Sequence, residues 1–204
     1  MSQRGDFNVV LVDAGGSNVG SVQAALQRLG VAAEMTADSE HIRAASHVIL
    51  PGVGAARPGM QRLRDSGLDL LIPRLTQPVL GVCLGMQLLF ESSEEADTQC
   101  LGVVPGRVAR FCESTSFRLP HMGWNSLERL TDAPLLNGIQ SGDYAYFVHS
   151  YAAPLGPASV ASCRHGRVFT AALSWKNFHG AQFHPERSAS VGARLLANFL
   201  EMKS

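Results

Sequence analysis

No sign of charge dominates this sequence: lysine plus arginine and aspartate plus glutamate number 17 each among 204 residues. A chain with no net charge sets up no field that would draw it to a phosphate backbone or an anionic membrane surface, so neither nucleic acid nor membrane is expected as a partner. Cysteine is scarce and unpaired. Its four copies, at 83, 100, 112 and 163, make no CxxC pair, no metal spacing and no dense disulfide framework, and they read as reduced thiols. The seven histidines lack the short HxxxH spacing of a metal site, so no metal is expected either. No uncharged apolar run approaches the roughly 18 residues of a membrane span. MSQRGDFNVVLVD meets an acidic residue after one short apolar run, and a cytoplasmic protein is expected. Internal repeats and low-complexity segments are also missing.

What is present suits one sizeable core. Hydrophobic residues make up 46% and charged residues 17%, so residues 1–204 are expected to form a single domain. FNVVLVD is a short β-branched run that leads through AGGSNVG into SVQAALQRLG, where Val22, Ala25, Leu26 and Leu29 recur at helical spacing. SHVILPGVG and PVLGVCLGMQLLF repeat that grammar of buried strand, glycine turn and helix. From about residue 101 the segments become strand-like, and SASVGARLLANFLEM closes the chain as a helix. Its apolar face is Val191, Leu195, Phe199 and Met202, with Ser188 or Ser190 as N-cap. The expected fold is α/β: a mixed, mostly parallel sheet with helices on both faces and a β-rich second half.

Three short stretches carry chemistry, and a fourth does not. GGSNVGS lacks the lysine of a P-loop, and Ser17 stands where the dinucleotide fingerprint needs its middle glycine, so it reads as a strand-to-helix turn or a surface loop. Cys83, in GVCLGMQLLF, is open to two readings. It is either a small buried hydrophobe, or a nucleophile on a tight strand-to-helix turn, with Gly81 and Gly85 relieving the crowding. A thiol at a helix N-terminus leans toward the thiolate that attacks carbonyls.

A nucleophile needs a base held by a third group. AQFHPERS offers His184 and Glu186, two apart around a proline that favours extended backbone at the residue before it. Side chains two apart on a strand point the same way, so Glu186 can hold the imidazole tautomer while His184 moves the proton. LPGVGAARPG follows a strand, and its Gly52–Val53 backbone suits an oxyanion hole, with the N–H of Leu84 as the second donor.

Taken together, GVCLGMQLL, PGVG and AQFHPE resemble the class I, triad-type glutamine amidotransferases over essentially the whole chain and in the right order. The resemblance implies a flavodoxin-like fold and hydrolysis of L-glutamine through a Cys83 thioester, with His184 and Glu186 completing the triad and no cofactor. It implies an oxyanion hole at Val53 and Leu84, and a substrate site at Gly52, Gln87, Glu95, Ser150 and Tyr151. Met86, where many relatives carry histidine, together with PHMGWN and YFVHSYAAP, is similar to members of histidine biosynthesis. Such members form a heterodimer with a (β/α)8-barrel cyclase and pass ammonia to it. On that likeness Asn18, Met122, Trp124, Tyr146 and Arg187 face the cyclase. Two other readings are a glutaminase subunit of a different synthase and a non-catalytic scaffold of the same fold. The chain departs from the family pattern at Ala56, where phenylalanine is common, and at Arg187, where lysine is usual.

Overall fold

A computed structural model describes residues 8–13, 19–112 and 118–203 of the chain, apart from the side chain of Val19. Strands β1 (Val9–Val12), β2 (Ala33–Thr36), β3 (His47–Leu50) and β4 (Val79–Val82) alternate with helices α1 (Val19–Arg28), α2 (Ser39–Ala44), α3 (Ala56–Asp65) and α4 (Leu68–Leu71), and α5 (Leu84–Leu88) follows β4 directly. The second half is almost all strand. It holds β5 (Phe90–Ser93), β6 (Thr98–Gln99), β7 (Val104–Arg110), β8 (His121–Ser126), β9 (Glu128–Arg129), β10 (Tyr144–His149) and β11 (Tyr151–Ala152). Then come β12 (Ser159–His165), β13 (Arg167–Trp175) and β14 (Phe178–Ala181), and helix α6 (Ala189–Leu200) is the last element.

The central sheet has eight strands in the order β2-β1-β3-β4-β14-β13-β12-β9. The pairings from β2 to β14 are parallel, and those from β14 to β9 are antiparallel. This is the mixed sheet expected. Two smaller sheets, β10-β8 and β11-β7-β5-β6, complete the β-rich half.

The continuous apolar runs make sense once both faces of the sheet are covered. In β1, Val9 and Leu11 enter one core with Val22, Ala25 and Leu26 of α1 and Leu195, Leu196 and Phe199 of α6. Val10 and Val12 enter the other, with Ile42 of α2, Met60 and Leu63 of α3 and Leu68 and Leu71 of α4. Each of these side chains larger than alanine contributes about 1.5–3 kcal/mol by leaving water, which offsets the cost of ordering strands only four residues long. Among the described residues no helix is long and apolar enough to cross a membrane.

The last helix corrects one expectation. Ser188 holds the N-cap position, but its hydroxyl makes no capping bond. It donates to the His184 carbonyl at 2.7 Å and accepts from the Tyr146 N–H at 2.9 Å, tying the segment before α6 to β10. Met202 lies beyond the helix and still packs on the same core as Leu195.

Candidate active site

Strand β4 ends in a backbone strained by design. Cys83 follows it with φ 53° and ψ −108°, a conformation that costs a non-glycine residue about 1–3 kcal/mol and persists only where the surroundings impose it. Here the surroundings are close. Its N–H continues the parallel ladder onto the Ala181 carbonyl at 2.8 Å, and its own carbonyl accepts from the Gln87 N–H at 3.2 Å. The flanking glycines are needed for approach. A Cβ at Gly81 would lie 2.6 Å from the Met86 nitrogen, and one at Gly85 would lie 1.8 Å from the Leu50 carbonyl oxygen. Of the two readings left open above, the turn is present and the residue is also buried, at 6% exposure.

Adjacent strand β14 delivers the base. His184 Nδ1 donates to Glu186 Oε1 at 2.8 Å, and the Glu186 side chain is wholly buried. Nδ1 being committed, Nε2 is the nitrogen left for Cys83, with which His184 is hydrogen-bonded. Burial works against charge on this imidazole, yet the hydrogen bonds and charges of Cys83 and Glu186 outweigh it and push His184 up to about 10. The two partners thus favour the protonated imidazole. One detail differs from expectation: His184 is extended, but Pro185–Arg187 forms a 3-10 turn, so Glu186 reaches the ring by turning back and not along a strand. Proline in the first turn favours that geometry.

The oxyanion donors are not assembled. The Leu84 N–H, expected to face the developing negative oxygen, donates instead to the Gly52 carbonyl at 3.3 Å. Gly52 is packed hard onto the elbow, since a Cβ there would meet the Gly85 nitrogen at 2.7 Å and the Leu84 Cβ at 2.9 Å. Turning the Gly52–Val53 peptide over would free the Leu84 N–H and aim the Val53 N–H the way the carbonyl now points. Glu95 steadies the far side of this loop, accepting from the Ala56 N–H at 2.7 Å.

The other expected residues divide. Gln87 Nε2 donates to the Tyr151 carbonyl at 2.8 Å, which links α5 to the strand that carries Tyr151. The Ser150 carbonyl accepts from the Phe111 N–H at 3.1 Å and so anchors the start of that strand. Toward solvent, Met122 and Trp124 are 64% and 52% exposed, although large and apolar. Trp124 meets Tyr146 edge to face at 6.0 Å between centroids, and the Arg187 guanidinium lies 5.4 Å over the Tyr146 ring. Because the Tyr146 carbonyl accepts from the His184 N–H at 2.9 Å, this aromatic patch adjoins the base. Asn18 lies outside the described residues. Gln182 and the Val148 carbonyl, which receives the Cys83 thiol at 3.8 Å, are neighbours to which sequence reasoning gave no role, although both stand in quoted motifs, AQFHPE and YFVHSYAAP.

A second histidine group lies beside the site. His121 Nδ1 and His149 Nε2 are 3.1 Å apart, His149 Nδ1 donates to the Tyr151 carbonyl at 2.8 Å, and His121 stacks on His165. Burial first, then the neighbouring imidazoles, hold His121 near 4 and His149 near 3, and burial alone holds His179 near 4. An unfolded chain binds protons on all three below about pH 6.5, whereas the folded one refuses them until pH 3–4. Stability from these groups is full above pH 6.5 and is lost as pH falls through that window, at roughly 1.4 kcal/mol per pH unit for each histidine. His184 has the opposite sign, contributing fully below 6.5 and losing its share as pH rises toward 10. Urea midpoints are therefore expected to peak near pH 6.5–7 and to fall on both sides. A flat midpoint between pH 7 and 5 would show that the histidine cluster protonates freely in the folded state.

The chain belongs to the class I glutamine amidotransferases: the model of the family described as "Glutamine amidotransferase class-I" matches residues 10–202. Among curated relatives, it is 56% identical over 194 residues to the imidazole glycerol phosphate synthase subunit HisH of Xylella fastidiosa strain Temecula1, covering 95% of this chain and 97% of that one. HisH of Xanthomonas axonopodis pv. citri is 53% identical over 195 residues, with 96% and 98% covered. Among solved structures, one described as a glutamine amidotransferase superposes with a TM-score of 0.73 at 23% identity, covering 95% of this chain and 97% of that one. PurLQS from Thermotoga maritima gives 0.68 at 17% identity, over 94% and 96%. These structural likenesses carry the fold.

Proposed function

We propose that this chain is the glutaminase subunit of an imidazole glycerol phosphate synthase, hydrolysing L-glutamine and passing the ammonia to a (β/α)8-barrel cyclase in histidine biosynthesis. The observation that carries the chemistry is the chain of contacts from Cys83 through His184 to Glu186, set on neighbouring strands β4 and β14. The Cys83 sulfur attacks the side-chain amide carbon of glutamine, and the oxygen of the tetrahedral adduct takes the negative charge. His184 gives its proton to the amide nitrogen, the C–N bond breaks, and ammonia leaves a glutamyl thioester behind. Water then adds to the thioester carbon, losing a proton to His184, and the C–S bond breaks to release glutamate and restore the thiolate. Gly52, Gln87, Glu95, Ser150 and Tyr151 form the proposed substrate-binding set.

Ammonia is protonated and diluted in bulk water, so it must pass directly into the second site. The patch of exposed Met122, Trp124 and Arg187 with the half-buried Tyr146, adjoining His184, is the surface proposed to receive the cyclase. Aromatic and arginine side chains of this kind, once buried against a partner, dominate interface energetics. Docking there also offers a way to move the Gly52–Val53 peptide, without which one oxyanion donor stays occupied. Loss of one such donor costs about 100- to 1,000-fold in rate. The isolated chain is accordingly expected to hydrolyse glutamine slowly, and added cyclase to raise kcat by about 100-fold or more. Rapid turnover by the chain alone, indifferent to the cyclase, would contradict the coupled reading.

A further inference from the structure

One more buried polar side chain approaches the sulfur. Gln182 is 0% exposed, its Oε1 accepts from Gln87 Nε2 at 3.0 Å, and its Nε2 lies 3.9 Å from Cys83 Sγ. The orientation of both amides follows from one end of this chain. The Tyr151 carbonyl can only accept, so the Gln87 group facing it at 2.8 Å is the NH2. The second hydrogen of that NH2 then points at Gln182, which must answer with oxygen. Its own NH2 is left for the sulfur. Reversing Gln182 alone would set donor against donor where no water competes, and a buried polar group so mismatched costs more than a hydrogen bond is worth.

We propose that Gln182 is a hydrogen-bond donor to the Cys83 sulfur, stabilising the thiolate before attack and again when it leaves the thioester; this rests on Cys83 being the nucleophile, as proposed above. The neighbouring groups show why such a donor is needed. The Val148 carbonyl, 3.8 Å from Sγ, accepts a bond from the thiol but repels a thiolate. Ionisation therefore exchanges partners: the sulfur gives up Val148 and accepts from Gln182 and His184. Held by the Ala171 carbonyl through its backbone N–H at 2.9 Å, and by Gln87 through its side chain, Gln182 is already aimed before the charge appears.

The test compares wild type with Gln182→Met, which keeps the volume without the donor, and Gln182→Glu, which sets a carboxylate beside the sulfur. Two readouts are needed: the pH profile of Cys83 alkylation by iodoacetamide, resolved by peptide mass spectrometry with the exposed Cys112 as internal reference, and glutamine hydrolysis with the cyclase present. For Gln182→Met the Cys83 profile should move about one unit to alkaline pH, and kcat should fall about tenfold with little change in KM. Gln182→Glu should fall further. A profile that does not move overturns the proposal even if kcat drops, because Gln182 would then be only a packing group. Labelling of wild-type Cys83 by a glutamine-analogue diazoketone separates the two claims, since its absence would sink the nucleophile assignment itself. Should neither variant fold, the assigned side-chain amide protons of Gln182 in the wild type decide: they should shift in step with the Cys83 alkylation profile, and resonances that stay fixed overturn the proposal.

Discussion

Replacing Cys83 by alanine is expected to abolish glutamine hydrolysis while leaving association with the cyclase intact. No other thiol can substitute. Cys163 is buried, and burial pushes its thiol up to about 12, while burial of Cys100 pushes it up to about 11. Cys112 is exposed, whereas the His184–Glu186 pair is buried. The alanine keeps the Cβ and the turn and removes only a buried sulfur, leaving the patch at Met122 and Trp124 untouched, so docking should survive. Glutamate release should fall to background, the calorimetric affinity for the cyclase should stay within about twofold, and cyclase turnover should recover when ammonium salt replaces glutamine. Glutamine turnover at the wild-type rate by the Cys83→Ala chain would remove the basis of the mechanism.

Gly85→Ala should have a large effect on stability. The added Cβ would lie 1.8 Å from the Leu50 carbonyl oxygen, a backbone atom that cannot swing aside, so β3 and α5 must separate. Overpacking costs about 1–3 kcal/mol and occasionally more, a backbone contact belongs at the upper end, and the same displacement drags the Gly52 loop off the elbow. Gly20→Ala makes the opposite prediction. Gly20 sits in α1, exposed and with no atom within 4 Å of the added Cβ, and alanine there should stabilise the chain by about 0.5–1 kcal/mol. Urea unfolding of both variants checks the pair. If Gly85→Ala unfolded at the wild-type midpoint, the tight approach of β3 and α5 would be wrong.

The contrast between those glycines shows what was legible beforehand. Gly81 and Gly85 could be assigned a steric role from their spacing about Cys83, because a strand entering a helix in one residue leaves no room for two side chains. The runs VVLV, HVIL and VLGV showed strands buried on both faces, and those strands place the nucleophile. The state of the oxyanion loop could not be read, since rotating one peptide between Gly52 and Val53 changes no residue. Glu186 arrives through a 3-10 turn because proline at the first position is compatible with both strand and turn, and packing decides between them. Ser188 resembled a helix cap and instead ties His184 to Tyr146, a long-range choice that depends on β10 lying alongside. Gln182 was visible as a letter in AQFHPE, but its role needs Gln87 and Tyr151 in place.

Gly81 in β4 pairs with Leu50 on one side and Gly180 on the other, so two glycines stand abreast directly beneath Met86. A Cβ at Gly180 would come within 2.7 Å of the Met86 Cγ, just as one at Gly81 would strike its backbone nitrogen. The paired glycines form a keyway, and the methionine is the key. Sliding either strand by one position brings a residue with a side chain into the gap and leaves Met86 nowhere to descend. Correct alignment of the sheet and creation of the reactive turn are thus one event, and a misaligned molecule cannot present a half-formed nucleophile.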